Sequence, residues 1–314
     1  MKIAFLFPGQ GSQFPGMGLD LAQQHPIAKQ TFAEADEALG FALSTLCFEG
    51  PEDELRRTEN TQPALVATSI AALRVLQSLG APAPALVAGH SLGEYSALVA
   101  AGSLGFANAL RLVRKRGQYM QEAVPAGVGA MAAILKMPIE ALDQVLADAA
   151  QGEIVTAANL NSPDQIVIAG HKAAVERAME LAKAAGAKRC VVLPVSAPFH
   201  CPLMRPAQER LRADLDATNF NDLAIPLINN WRARIVRSGA EAREGLFEQV
   251  PNPVRWVESV RLLAAEGITQ TIEIGAGKVL CGLVKNIEAT IQPLNFGTSA
   301  DLEGLGAASW TRSL

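Results

Sequence analysis

Charge, aromatic rings, cysteine and histidine are all scarce in this 314-residue chain, and each scarcity closes off a class of function. Charged residues make up 18% and the formal net charge is −4. The basic residues are scattered rather than gathered into a patch with aromatics, so nothing points to nucleic acid. The four cysteines, Cys47, Cys190, Cys201 and Cys281, lie far apart and form no CxxC pair. They read as free thiols in a reducing compartment, without a disulfide framework. No metal site is expected. The most apolar span, residues 64–76, is broken by Thr68, Ser69 and Arg74, short of the roughly 18 apolar residues of a membrane helix. Residues 3–7 are too short an apolar stretch before Pro8-Gly9 to serve as a secretory signal, and a cytoplasmic protein is expected. Hydrophobic residues reach 49%, enough to core one large domain with an insertion or two modest ones.

What is present centres on Gly89-His90-Ser91-Leu92-Gly93. An apolar run at 85–88 precedes it and a helical pattern at 94–101 follows, and strand, tight turn and helix is the setting a GxSxG nucleophile elbow needs. Glycines on both sides would let the backbone take a strained turn, and the helix N-terminus would offer unpaired N–H groups to a developing oxyanion. The alternative is a serine that merely turns the chain.

A serine nucleophile needs a base, and there are four histidines to choose from. His90 adjoins Ser91, where neighbouring side chains diverge. His25 and His171 sit in polar or strand-end contexts and read as solvated. His200 lies in the proline-bracketed loop Ser196-Ala197-Pro198-Phe199-His200-Cys201-Pro202 and is the base expected, titrating between about pH 5 and 8. The acids between Ser91 and His200, such as Asp143, Asp148, Glu153 and Asp164, are poorly placed to orient it, so a neutral acceptor such as a backbone carbonyl is a further option.

Arg116 falls within the apolar stripe Ala109, Leu112, Val113, Met120 of a helix at 106–122, whereas Arg111, Arg114 and Lys115 project elsewhere. An inward arginine needs an anion, either an internal carboxylate or a substrate carboxylate held by a bidentate clamp. The glycine-rich run Phe7-Pro8-Gly9-Gln10-Gly11-Ser12-Gln13 fails the dinucleotide fingerprint, since Phe14 stands where its third glycine should be, and Gly277-Lys278-Val279 is no P-loop. Such a turn can still supply a backbone N–H to an oxyanion hole, with Gln10 the donor beside Leu92.

Along the chain, strand-like 2–7, helical 17–40 and 61–79, and strand-like 85–88 favour a parallel sheet covered by helices. From 127 to 195 the order changes to strand 128–135, helix 138–150, strands 154–158 and 165–169, helix 172–185 and strand 188–193, a βαββαβ ferredoxin-like pattern. Alternation then resumes. The expected fold is α/β, with a large α/β-hydrolase-like domain of parallel sheet formed by 1–126 and 196–314, interrupted by an inserted ferredoxin-like subdomain at 127–195. The periodicity beyond 299 is too weak to assign.

Together the motifs at 7–13, 89–95 and 159–170, with Arg116-Gly117-Gln118-Tyr119-Met120-Gln121, Pro198 to Met204 and Asn252-Pro253-Val254, closely resemble the malonyl-CoA:acyl carrier protein transacylases of fatty-acid synthesis. The resemblance covers about the first 285 residues. It implies that Ser91 takes a malonyl group from coenzyme A and passes it to the phosphopantetheine thiol of acyl carrier protein, with His200 as base and acid and Arg116 on the malonyl carboxylate. It implies an oxyanion hole from the Gln10 and Leu92 N–H groups, and a main-chain carbonyl at Gln249 that orients the histidine. It also implies action on malonyl-CoA and acyl carrier protein with no cofactor; a monomer is expected, and the composition gives no reason to expect nucleic acid or membrane as a partner. Phe199 is similar to the pattern of malonyl-selective polyketide acyltransferases. Ala276, where proline is usual, and Trp231 depart from the commoner pattern. Two rivals remain at this point besides a malonyl transferase of polyketide synthesis: a serine thioesterase, in which water finishes the reaction, and a noncatalytic docking module, which would be expected to have lost Ser91, His200 or Arg116.

Overall fold

Five apolar residues in a row suit a strand buried on both faces, and Ile3–Phe7 (β1) takes a central place in a six-stranded sheet. The computed structural model describes residues 2–195 and 197–306. Leu86–Gly89 (β2) lies parallel to β1 with Phe7 opposite Gly89, so the loops that follow both strands emerge together. That carboxyl edge is where open α/β sheets place their ligands.

The insert forms a separate antiparallel sheet of Gly129–Leu135 (β3), Val155–Ser162 (β4), Gln165–His171 (β5) and Arg189–Val192 (β6), in the order β4-β5-β3-β6. Helices Leu142–Ala150 and Lys172–Ala184 cover it around a core that includes Ile134, Ile166, Ile168 and Val175. The large sheet continues with Leu227–Ile228 (β7), Ile235–Val236 (β8), Gln270–Ile274 (β9) and Gln292–Phe296 (β10). Its order is β10-β9-β1-β2-β7-β8, parallel throughout except that β8 runs antiparallel to β7. The alternate residues of β1 feed two cores, Phe5 and Phe7 on the side of the long helix Thr58–Ser78, and Ala4 and Leu6 on the side of Trp256.

The small sheet is tied to the rest of the chain at Val254, where Leu160 N–H donates to the Val254 carbonyl and Val254 N–H to the Ala158 carbonyl, both at 2.9 Å. Gly129 abuts Pro198 so closely that a Cβ there would lie 2.4 Å from the ring. The expected joint at 194–198 is described except for residue 196, and of the tail residues 307–314 lie outside the described part.

Three elements differ from expectation. The helix expected at 17–40 is two, Leu19–Gln24 and Pro26–Leu39, because Pro26 starts a new helix instead of continuing one. The helix expected from 138 opens with a 3-10 turn, Ile139–Ala141. β4 runs on to Ser162 although Asn159 and Asn161 are polar, because both face the cavity described below. No helix among the described residues is long and apolar enough to cross a membrane.

Candidate active site

The turn from β2 into the helix Gly93–Ala100 puts its strain on the serine itself. Ser91 has φ 51°, a left-handed conformation rare for a residue with a side chain. The expectation that the flanking glycines supply the strained dihedrals is therefore corrected: positive φ belongs to Ser91, and the glycines serve close approach. A Cβ on Gly89 would fall 2.0 Å from the Gly93 carbonyl, and one on Gly93 would fall 2.2 Å from the Phe7 oxygen.

Ser91 Oγ lies 2.7 Å from His200 Nε2, and His200 Nδ1 lies 3.0 Å from the main-chain oxygen of Gln249. A carbonyl only accepts, so Nδ1 carries the proton and Nε2 keeps a lone pair facing the serine. Burial, reinforced by the Arg116 cation and opposed by the Gln249 carbonyl, pulls His200 down to about 3. The imidazole is thus neutral well below the pH 5 to 8 window expected from an ordinary histidine, and its acid limb moves correspondingly lower. The candidate acids Asp143, Asp148, Glu153 and Asp164 take no part. Glu153 pairs with Arg177, and Asp148 accepts from Gln144.

Arg116 is 2% exposed and, among the described residues, forms no ion pair. Its Nη1 donates to Gln62 Oε1 at 2.8 Å, and its Nη2 donates to Gln249 Oε1 at 2.9 Å and to Ser91 Oγ at 3.1 Å. The internal salt bridge considered above is absent, and a desolvated cation with neutral partners is left facing the serine. Arg111 and Lys115 are exposed, as expected. Arg114 is half-buried over the Phe41 ring at 4.3 Å.

Ser91, Leu92, Gln10, Gln62, Arg116 and His200 all border one cavity of about 110 Å³, closed further by Met120, Met131 and Phe199. A wider cleft of about 470 Å³ shares Gln10, His90, Asn159, Leu193 and Val195 with it and runs out past Gly9 and Arg56. The inner space suits a short acyl unit and the outer one a longer, partly polar arm. Among the described residues, no acceptor takes the N–H of Leu92 or Gln10. No group of three or more potential metal ligands occurs among them either.

Of the remaining histidines, His90 diverges from Ser91 as expected, while His25 and His171 are less solvated than expected. His90 is turned away from Ser91, with Nε2 2.8 Å from Asn161 Oδ1 and its ring against Trp256. His25 and His171 are half-buried, and His171 Nδ1 accepts the Ile154 N–H at 2.9 Å. Three residues escaped the sequence reading. Gln62 holds Arg116, while Glu94 and Asn230 pack beneath the elbow, both 0% exposed. A signal existed for Glu94, a lone acid in the apolar helix GEYSALVA. Burial pushes its carboxyl up to about 7, although bonds from Asn230 and Gln249 oppose the rise.

Comparison with known proteins adds to this geometry. The family model described as acyl transferase domain matches residues 4–295. A malonyl CoA-acyl carrier protein transacylase of Bacillus subtilis strain 168 is 55% identical over 294 residues, covering 93% of this chain and 92% of its own. The protein of that name from Escherichia coli K12 is 51% identical over 290 residues, covering 92% and 94%. The crystal structure of an acyl carrier protein S-malonyltransferase from Vibrio cholerae superposes with a TM-score of 0.95 at 51% identity, covering 97% of this chain and all of that one. A malonyl-transacylase in complex with its type II PKS acyl-carrier protein gives 0.95 at 47% identity, with both chains fully covered.

Proposed function

This chain belongs to the acyl transferase domain family, and on that footing we propose that it moves a malonyl group from coenzyme A to the phosphopantetheine thiol of acyl carrier protein, supplying fatty-acid biosynthesis. The carrying observation is Arg116, a buried guanidinium that has no carboxylate partner among the described residues and reaches the nucleophile at 3.1 Å.

Ser91 Oγ attacks the thioester carbonyl of malonyl-CoA while His200 Nε2 takes its proton. The tetrahedral oxyanion is held by the Leu92 and Gln10 N–H groups. Collapse breaks the carbon–sulfur bond, His200 returns its proton to the departing coenzyme A sulfur, and a malonyl-serine ester remains. The carrier's thiol then gives its proton to His200 and attacks the ester, and collapse restores the thioester and the Ser91 hydroxyl. Throughout, Arg116 grips the distal carboxylate in place of its bonds to Gln62 and Gln249, a geometry that favours a short dicarboxylic acyl unit. The Gln249 carbonyl keeps His200 in the required tautomer. No step needs a cofactor.

The same reading takes residues 1–126 and 196–314 as one α/β-hydrolase-like catalytic domain and 127–195 as a ferredoxin-like insert, supported by the elbow at the end of a central parallel strand and by the β4-β5-β3-β6 order. It places the protein in the cytoplasm.

Intact-mass measurement after incubation with a panel of acyl-CoAs tests the reading. Malonyl-CoA is expected to give a persistent adduct on Ser91, absent in Ser91→Ala, that pantetheine thiol discharges within the mixing time. Breakdown to free malonate at the same rate without thiol would instead make the protein a thioesterase.

A further inference from the structure

The strained conformation of Ser91 needs something to hold it, since such backbone persists only where the surroundings over-determine it. The side chain of Asn230 accepts the Ser91 N–H on Oδ1 at 2.6 Å and donates Nδ2–H to the Gly89 carbonyl at 2.7 Å. It thereby spans the elbow from the last residue of β2 to the nucleophile. Asn230 is itself fixed, because its main-chain N–H donates to Glu94 Oε2 at 2.9 Å. The same carboxylate oxygen accepts from Gln249 Nε2 at 2.9 Å, and that amide also donates to the Ser91 carbonyl at 3.0 Å. Both main-chain polar groups of the serine are therefore tied to one buried polar brace.

We propose that Asn230 is a positioning residue for the transfer reaction: its amide holds Ser91 in the reactive conformation, and Glu94 holds Asn230. This rests on the transferase reading above. The bridge requires one acceptor and one donor on the same planar group, which asparagine supplies and aspartate does not until it is protonated. By occupying the Ser91 N–H, it also assigns oxyanion binding to the amide after the serine, that of Leu92.

The replacement Asn230→Asp tests this with little change of shape. When ionised, the introduced carboxylate keeps the acceptor toward Ser91 but turns an oxygen against the Gly89 carbonyl; when protonated, it restores the missing donor. Glu94, Arg116, His200 and His90 are the titratable groups bonded to this network or within the elbow, and Arg255 offers Asn230 only its main-chain N–H. All are common to both proteins, so rates are compared as a ratio to the unmodified chain at each pH. The rate of malonyl-serine formation, read by intact mass per folded molecule, should fall about a hundredfold near pH 8.5, with KM for malonyl-CoA changing less than about threefold. The deficit should shrink to about tenfold or less near pH 6, as a buried carboxyl takes up its proton. A pH-independent ratio, an unimpaired rate, or a defect confined to KM overturns the proposal. Absence of any ester on the unmodified protein overturns the transferase reading instead. Should N230D fail to fold, Glu94 carries the test. Glu94→Ala removes the acceptor and should slow ester formation by about tenfold or more, whereas Glu94→Gln can keep an oxygen at the Oε2 position and recover most of the rate. Equal rates in the two Glu94 variants overturn the proposal.

Discussion

The two sheets solve opposite problems. The antiparallel sheet is locally consistent: its buried face is Ile, Val, Leu and Ala, its helices cover that face, and its ion pairs lie at the surface, as between Arg177 and Glu153. The parallel sheet accepts local conflict at one edge, where a serine takes positive φ and an arginine, a glutamate, a histidine and several amides are all buried. The small sheet contributes walls to the cavity through Met131 and Asn159, while Ser91, Arg116 and His200 reach it from the elements around the large sheet. Where local preference is violated and the violations converge, function is the economical explanation.

That division can be broken experimentally, beginning with the greatest effect. Arg116→Ala should lower kcat/KM for malonyl transfer by about 10² to 10³, or roughly 3–4 kcal/mol, but acetyl transfer by less than about tenfold, because only malonyl loses a charged partner. Parallel losses in steady-state assays with the two thioesters would remove the clamp. The pH response comes next. With His200 near 3 in the free protein, kcat/KM should be flat from about pH 5 to 8 with respect to this group, and its acid limb should appear only near pH 3. Binding a carboxylate offsets the Arg116 charge, so the corresponding limb in kcat should lie at higher pH. A free-enzyme limb near 6.5 would mean an exposed imidazole. The same depression makes stability pH-dependent: the unfolded chain binds this proton below about 6.5 and the folded one only near 3, so the contribution is complete above 6.5 and lost on acidification between those values. Melting temperatures across that window measure the loss. The smallest effect on chemistry belongs to the insert. Ile168→Ala in its core should cost about 2–5 kcal/mol of stability in denaturant titration, while the rate per folded molecule stays within about twofold. A large rate loss would show that the small sheet does more than enclose.

The contrast also explains what was legible in the sequence. Strands of the insert announced themselves by period and by flanking glycine and proline, and the start of β5 and the end of β3 fall where those signals put them. The elbow was legible because GxSxG between strand and helix has few other uses, and Arg116 because a lone cation interrupted an apolar stripe. The depression of His200 was not, since it depends on burial beside Arg116, which lies on a helix far earlier in the chain. Asn230 and Glu94 stand 136 residues apart, and neither residue type at its position announces the other. The orienting carbonyl of Gln249 belongs to the main chain, which every residue possesses, so only likeness to a family pointed to it. The break at Pro26 is hard to see in the sequence because apolar residues continue on both sides of it.

The neutral carbonyl behind His200 has a consequence for the fate of the acylated serine. With no counter-anion at Nδ1 and a strong pull toward the uncharged ring, this imidazole is a reluctant proton acceptor. A thiol, with a pKa of about 8.5, surrenders its proton to such a base far more readily than water at about 15.7. On the proposed transfer reading a sulfur acceptor therefore asks less of this ring than water does, while the Ser91 hydroxyl, nearly as weak an acid as water, is helped to release its proton by the Arg116 N–H it accepts at 3.1 Å.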